Sequence, residues 1–257
     1  MDKIWIIAYR DFAWLKRWKP SLYAEILNPI VYLLLFAAAL TDNFGEISLN
    51  NQRTSYVLFF IPGLIILQTF NRFPLVLGAS SNDRRWGIFR VYMTTKMKPY
   101  HYVMGKTLVS VCVSALQALF ILGVSALLAR PMSFNGTSYI VLALIIVSSS
   151  LFWTFLGIII GLTTSHEQKR SVYITLLTLP IMFSSSIFYD ISQAPKYIYW
   201  LGLVNPLTYM ANAARASFFS NYEGRLYDFV TVGGVTIIAF ALAVWKVQTT
   251  RLVPDEA

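Results

Sequence analysis

Six long apolar runs constrain this chain more than anything else in it. Residues 22–40, 55–80, 104–129, 138–163, 171–188 and 229–245 are each nearly free of charge. Each approaches the roughly 20 residues that an α-helix needs to cross a bilayer. With 56% of the chain hydrophobic and only 13% charged, the fold class is an all-α polytopic membrane protein with six transmembrane helices. A net charge of +9 would otherwise point to nucleic acid. Here the cations gather at the ends of the apolar runs, where the membrane accounts for them. Membrane lipid is an expected partner; nucleic acid is not.

The connection between the second and third runs is the densest functional signal. Within residues 82–106, Arg84, Arg85, Arg90, Lys96, Lys98 and Lys106 face one anion, Asp83. Trp86, Ile88, Phe89, Val91, Tyr92 and Met93 are interleaved with them. Loops this basic are retained on the cytoplasmic side. The mixture of charge and aromatic surface suits a short helix at the membrane face that docks a soluble partner. A charged loop that only sets topology is the competing reading.

Residues 2–19 read as an N-terminal amphipathic interface helix on the cytoplasmic surface. Lys3, Arg10 and Arg17 recur every seven residues, while Ile4, Ile7, Ala8, Trp14, Leu15 and Trp18 fall mostly opposite. Asp11 interrupts that apolar sector, and an extended start to the first span is the alternative. The apolar core from Ile4 to Ala8 is too short for a cleavable signal. Glu25 and Arg72 lie at similar depth in the first and second runs. A charge there costs about 2.5–3.5 kcal/mol on insertion scales and needs a partner or water. Either the two pair and orient their helices, or they belong to a substrate-facing wall.

Residues 41–54 read as a polar external connection. The fourth run is rich in small residues (Ser148, Ser149, Ser150, Gly157, Gly161), which favour close helix packing. Pro180 is expected to break the fifth run near its middle. Residues 190–224 carry Pro195, Pro206 and the aromatics Tyr197, Tyr199, Trp200 and Tyr209, with no clean span. They read as one or two short helices dipping partway into the outer leaflet, sheltered by protein. With both termini inside, cytoplasmic segments hold fifteen cations, and only Arg53, Arg130, Lys196, Arg215 and Arg225 lie outside. That bias predicts both termini in the cytoplasm.

Several chemistries are excluded. His101 and His166 both fall in cytoplasmic connections, so no span offers a histidine for an intramembrane hydrolase or a metal. Cys112 is alone, which rules out a disulfide framework or thiolate cluster. Gly105-Lys106-Thr107 imitates the end of a phosphate-binding loop, but Tyr100 stands where that motif needs its first glycine. No catalytic residue and no metal site is therefore expected. Glu25 is the one clear intramembrane carboxylate and no internal repeat is visible, which weighs against a self-sufficient secondary transporter or channel. That alternative and an assembly scaffold remain the rival readings.

Residues 184–215 become specific. Ser184-Ser185-Ser186-Ile187-Phe188-Tyr189, then Ala194-Pro195-Lys196-Tyr197, Asn205-Pro206-Leu207-Thr208-Tyr209 and Arg215 form an ordered series. It resembles the C-terminal signature of ABC-2 type exporter permeases, the membrane halves of ATP-binding cassette exporters. Asn28-Pro29, Phe60-Ile61-Pro62-Gly63-Leu64, and Trp86-Gly87 with Thr95, Pro99 and Gly105-Lys106 are similar to the family's earlier landmarks. The loop departs from the pattern at Arg90 and Lys96, where an acidic residue and a proline are usual.

The resemblance covers nearly the whole chain and implies a single transmembrane domain over 1–257. It also implies an inner-membrane permease that works as a dimer, identical or mixed, with two separate ATPase subunits. ATP and Mg would be used by those subunits and not by this chain, which would hydrolyse nothing. Residues 82–99 would be the coupling helix seated in the ATPase, with Arg84, Arg85, Trp86, Gly87, Phe89, Arg90, Lys96 and Lys98 in contact. Glu167 and Lys169 would add a lesser contact. The substrate would be a drug, glycolipid, lipooligosaccharide or polysaccharide. Phe188, Tyr189, Trp200 and Tyr209, with Glu25 and Arg72, are candidates for its path. The aromatics equally suit an interfacial belt.

Overall fold

The computed structural model describes residues 2–17, 19–44, 46–49, 52–95, 97–128, 136–163 and 166–250. Its helices are α1 (Asp2–Arg17), α2 (Lys19–Phe44), α3 (Tyr56–Arg85), α4 (Ile88–Thr94), α5 (Pro99–Leu128), α6 (Gly136–Gly161), α7 (Glu167–Phe183), α8 (Lys196–Val204), α9 (Pro206–Phe218) and α10 (Leu226–Thr249). Four are long and apolar enough to cross a membrane: α3, α5, α6 and α10. The apolar stretch of α2 described as such is the shorter Tyr23–Leu35, and α7 has 17 residues.

The bundle is built around α3. From Tyr56 to Leu67 its residues are apolar on every side, and a stretch of that kind has to be surrounded. Phe59 through Phe70 are all buried, and Phe73, Val76 and Leu77 continue the core towards Arg85. Phe70 meets the edge of Trp153 at 4.6 Å between ring centroids. The expected packing role of the small residues of α6 is visible in atoms. A Cβ at Gly157 would stand 2.9 Å from the Phe73 carbonyl oxygen, and one at Gly161 would stand 2.5 Å from that of Leu77. Thr69 Oγ1 and Ser149 Oγ share a buried hydrogen bond of 2.6 Å across the same contact. Close approach plus a polar clasp replaces the hydrophobic drive that helices lack inside lipid.

Three expectations need correction. Residues 41–54 are not a plain connection: α2 continues to Phe44, and β1 (Glu46–Leu49) pairs antiparallel with β2 (Gln52–Ser55), Glu46 opposite Ser55. Pro180 does not break α7. It sits in the last turn, where its missing N–H removes one bond, and its carbonyl still accepts from Ser184 N at 3.0 Å to close the helix. Finally, residues 82–85 finish α3, so the short helix of the following connection begins only after Gly87.

Residues 190–224 form short helices, as expected. Asp190 caps a 3-10 turn at Ile191–Gln193 by accepting from Ser192 N at 2.9 Å. Asn205-Pro206 opens α9 in the way such a pair should. Asn205 Oδ1 accepts from Leu207 N at 3.0 Å, and Pro206 occupies a first-turn place where no N–H is needed. Asn205 Nδ2 also donates to the Ile181 carbonyl at 2.6 Å, which ties α9 to the end of α7.

Candidate functional site

At the end of the bundle where α1 and α4 lie, the chain has to turn from α3 into a helix of only seven residues. Gly87 makes the turn at φ 73° and ψ 3°, a left-handed conformation that costs an L-residue roughly 1–2 kcal/mol. The result is a two-sided helix. Inward, Phe89 and Tyr92 are buried, and both face Tyr102 of α5, at 5.5 Å edge-on and 6.3 Å between centroids. Outward, Trp86 is 64% and Val91 59% exposed, with Arg85 and Arg90 beside them on the surface.

Beneath the inward face lies a buried ionic node. Tyr102 donates to Asp83 Oδ2 at 2.9 Å. Arg10 of α1 approaches both oxygens of the same carboxylate, at 2.8 and 3.0 Å. Lys106 Nζ lies 2.9 Å from Asp83 and 3.2 Å from Asp11. Burial lowers the pKa of the Arg10 guanidinium, but Asp83 and then Asp11 outweigh it and the net shift is upward. Burial also raises the Tyr92 phenol, over which the Arg10 guanidinium sits at 5.4 Å from the ring centroid. The node therefore joins α1, α3, α4 and α5.

The node explains two sequence features. Asp11, which interrupted the apolar face of α1, points to Lys106. Gly105-Lys106 is a packing device: a Cβ at Gly105 would stand 2.7 Å from the Ile7 Cβ, so glycine lets α1 settle on α5. Of the expected α1 face, Ile7, Ala8 and Leu15 are buried, whereas Trp14 is 55% exposed.

The structure sorts the expected contact residues. Arg85, Trp86, Arg90 and Lys98 are exposed, and so are Glu167 and Lys169. Arg84 and Phe89 turn inward: Arg84 donates to the Leu162 carbonyl at 2.9 Å, and Phe89 is only 1% exposed. They hold the connection in place and do not form its outer face. Lys96 lies outside the described residues. The two connections expected to act together do meet. Arg85 pairs with Glu167 at 3.2 Å, and Arg170 donates to Asn82 Oδ1 at 2.6 Å while pairing with Glu167 at 3.0 Å.

Glu25 and Arg72 are paired in close contact. Gln117 Nε2 also donates to the second oxygen of Glu25 at 2.8 Å. The pair orients helices and also lines a cavity of about 420 Å³ between α1, α2, α3, α5 and α7. The aromatic candidates are elsewhere and line no part of that cavity. Phe188 stacks on Phe60 at 5.9 Å, and its carbonyl accepts from Tyr56 at 2.7 Å. Tyr189 and Tyr209 donate to the carbonyls of Phe183 and Leu203, while Trp200 is 66% exposed.

The opposite end of the bundle holds a residue whose role was missed. Arg215, read as an external cation, is 5% exposed. Its Nη2 donates to the Ile187 carbonyl at 2.9 Å and to that of Ser186 at 2.5 Å, and Nε donates to Phe59 O at 3.2 Å. A Cβ at Gly63 would stand 2.8 Å from that Ile187 oxygen, so the Pro62-Gly63 pair makes room for the lock. Its place at the end of the ordered series in residues 184–215 was the available signal.

Known proteins share this organisation of sequence. The chain is 24% identical over 224 residues to "Putative transport permease ycf38" of Cyanophora paradoxa, covering 84% of this chain and 73% of that one. It is 21% identical over 255 residues to "Inner membrane transport permease YadH" of Escherichia coli K12, covering 96% and 93%. Against "Daunorubicin resistance ABC transporter permease protein DrrB1" of Streptomyces coeruleorubidus it is 25% identical over 203 residues, covering 78% and 69%. The ABC-2 type transporter family matches residues 2–219, from the start of α1 past the Arg215 lock. The two-sided helix, the node beneath it and the capped short helices thus sit within one matched stretch, and the chain belongs to the ABC-2 type transporter family.

Proposed function

We propose that this chain is the six-span permease subunit of an exporter, driven by ATP that a separate ATPase hydrolyses. The spans are α2, α3, α5, α6, α7 and α10, with both termini in the cytoplasm of a bacterial inner membrane. The two-sided α4 carries the reading. Its outer face, Arg90 and Val91, and the turn that leads into it, Arg85 and Trp86, are exposed and dock the ATPase, with Glu167 and Lys169 at the rim. Its inner face passes the displacement to Tyr102 and so to α1 and α5. Two ATPase copies serve two permease copies, either identical or related. ATP and Mg stay with the ATPase.

Cargo is an amphipathic or lipid-linked molecule, such as a drug, glycolipid, lipooligosaccharide or polysaccharide. One relative's name includes daunorubicin resistance, which favours the drug end of that range. The test replaces the outer face and spares the inner one. Arg85→Glu with Trp86→Ala and Arg90→Glu should abolish co-purification of the ATPase while thermal stability stays within a few degrees. Unchanged ATPase recovery would refute the docking role. Cargo flux in proteoliposomes holding this chain alone, without ATP, would instead establish a self-sufficient transporter.

A further inference from the structure

The polar contacts between the two cytoplasmic connections form a chain that ends on α7. Arg170, in the first turn of α7, donates from Nη1 to Asn82 Oδ1 in the last turn of α3 at 2.6 Å. Its Nη2 donates to Glu167 Oε1 at 3.0 Å. Glu167 turns its other oxygen to Arg85 Nη1 at 3.2 Å. One carboxylate thus holds two guanidiniums, and one of these grips the residue that opens the last turn before Gly87.

The links differ in strength. The side chains of Arg85 and Glu167 are 49% and 66% exposed, and an ion pair so open to water holds little and weakens in salt. Arg170 is only 17% exposed, and its bond to Asn82 is charge-assisted, which is the stronger kind. Arg170 is the firm tie, and Glu167 orients its guanidinium.

Along its length α7 is held lightly. None of its residues is buried within the chain. Ile174, Leu177, Ile181 and Met182 pack against the core, while Val172, Tyr173, Leu176 and Leu179 face outward. At the far end Asn205 Nδ2 donates to the Ile181 carbonyl at 2.6 Å and to Ser184 Oγ at 3.0 Å. The polar ties at residues 170 and 181 stand about 16 Å apart along the helix, at 1.5 Å per residue. Few buried contacts between two ties mark an element that moves at low cost.

We propose that Arg170 is a positioning residue that carries the displacement of the docking turn to α7, and that α7 swings about its tie to Asn205. This route runs beside the one through Tyr102, and it rests on the ATPase-docking reading. Arg170 and Ile174 line one part of the cavity of about 420 Å³, and Trp86 and Ile88 line another. A swing of α7 against the docking turn therefore changes that space.

The test uses the complex of the full chain with its co-purified ATPase, in lipid nanodiscs. Ile174→Cys in a Cys112→Ser background leaves one thiol, on the α7 wall of the cavity. Its labelling rate with a water-soluble methanethiosulfonate reports where α7 stands. ATP with vanadate should change that rate at least threefold. Arg170→Met should abolish the response, while ATPase recovery and the rate without nucleotide stay within twofold. Asn82→Ala breaks the same bond from the α3 side and should act alike, so the result does not hang on the folding of one variant. Exchanging the pair, Asn82→Arg with Arg170→Asn, restores a guanidinium–amide bond and should recover at least half of the response.

An intact response in both single variants overturns the proposal, and so does a parent rate that ignores ATP. A raised rate without nucleotide makes Arg170 a brace for α7, and lost ATPase recovery makes it a docking residue. Either result overturns the relay. If no ATPase accompanies even the parent chain, the docking reading fails and takes this inference with it. An ATPase bound and active beside an α7 that still responds without Arg170 sinks this inference alone.

Discussion

Both ends of the bundle bury cations, and they neutralise them by different means. At the α4 end, Arg10 and Lys106 meet the carboxylates of Asp83 and Asp11, contributed by separate helices. At the α9 end, no salt bridge to Arg215 is present among the described residues. Backbone carbonyls of Phe59, Ser186 and Ile187 hold it instead, with the Phe59 ring 3.9 Å beneath the guanidinium carbon. Charge pairs between side chains can lengthen or exchange partners while the helices stay folded. Carbonyls fixed in a turn cannot move without unravelling it. The comparison places the adaptable end at α4, the face proposed to dock the ATPase, and the rigid end at the short helices α8 and α9.

The hardest blow to that comparison is Asp83→Asn. It leaves the buried Lys106 and the half-buried Arg10 with only Asp11 between them, and unpairing a buried charge costs about 3–5 kcal/mol. A large fall in unfolding temperature in detergent is expected, partly rescued by adding Lys106→Met. No rescue would mean that the node is not one electrostatic unit.

Arg215→Lys should cost less, about 1–3 kcal/mol, because the lysine keeps the charge but loses the fork that reaches several acceptors. Faster hydrogen exchange should be confined to the short helices and the end of α7. If the exchange instead spread to α4, the two ends would not be independent.

Gly63→Ala probes the same lock from the α3 side. Its Cβ would press on the Ile187 carbonyl oxygen at 2.8 Å, and overpacking of this kind costs roughly 1–3 kcal/mol. Combined with Arg215→Lys, the loss should be clearly less than additive, since both changes disturb one carbonyl. Strict additivity in a thermal-shift cycle would separate the glycine from the lock.

Arg85→Ala should have the smallest effect on stability, under about 0.5 kcal/mol, because its pair with Glu167 is solvent-exposed. Recovery of the ATPase should nevertheless fall. Loss of stability without loss of recovery would reverse the assignment of inner and outer faces.

Much of this was legible in the residues. Apolar runs mark helices wherever the bilayer demands them, and the basic, aromatic connection announces itself by composition. Asn205-Pro206 carries its own capping chemistry and was visible as a landmark. The short helix after Gly87 was expected, but its division into two faces was not, because seven residues hold too few turns to show a period. Arg84 and Phe89 looked like surface contacts for that reason. Asp83 was counted as a lone anion in a basic loop, and Lys106 as one more loop cation.

The amino-acid sequence by itself determined the class of fold and the family, and it marked out the basic, aromatic connection proposed to dock a partner. These follow from local quantities: hydropathy over a span, charge in a connection, and short ordered motifs. Only the tertiary structure decided that Asp83 gathers Arg10 and Lys106, and that Arg215 is locked against carbonyls. Arg10 and Asp83 are 73 positions apart, Asp11 and Lys106 of the same node 95, and Phe59 and Arg215 of the lock 156. A stretch as uniformly apolar as Tyr56–Leu67 of α3 carries no stripe to say which neighbour each side will face. Partner choice then falls to packing: the glycines at 63, 105, 157 and 161, where the chain can come close enough for buried charges and dipoles to meet.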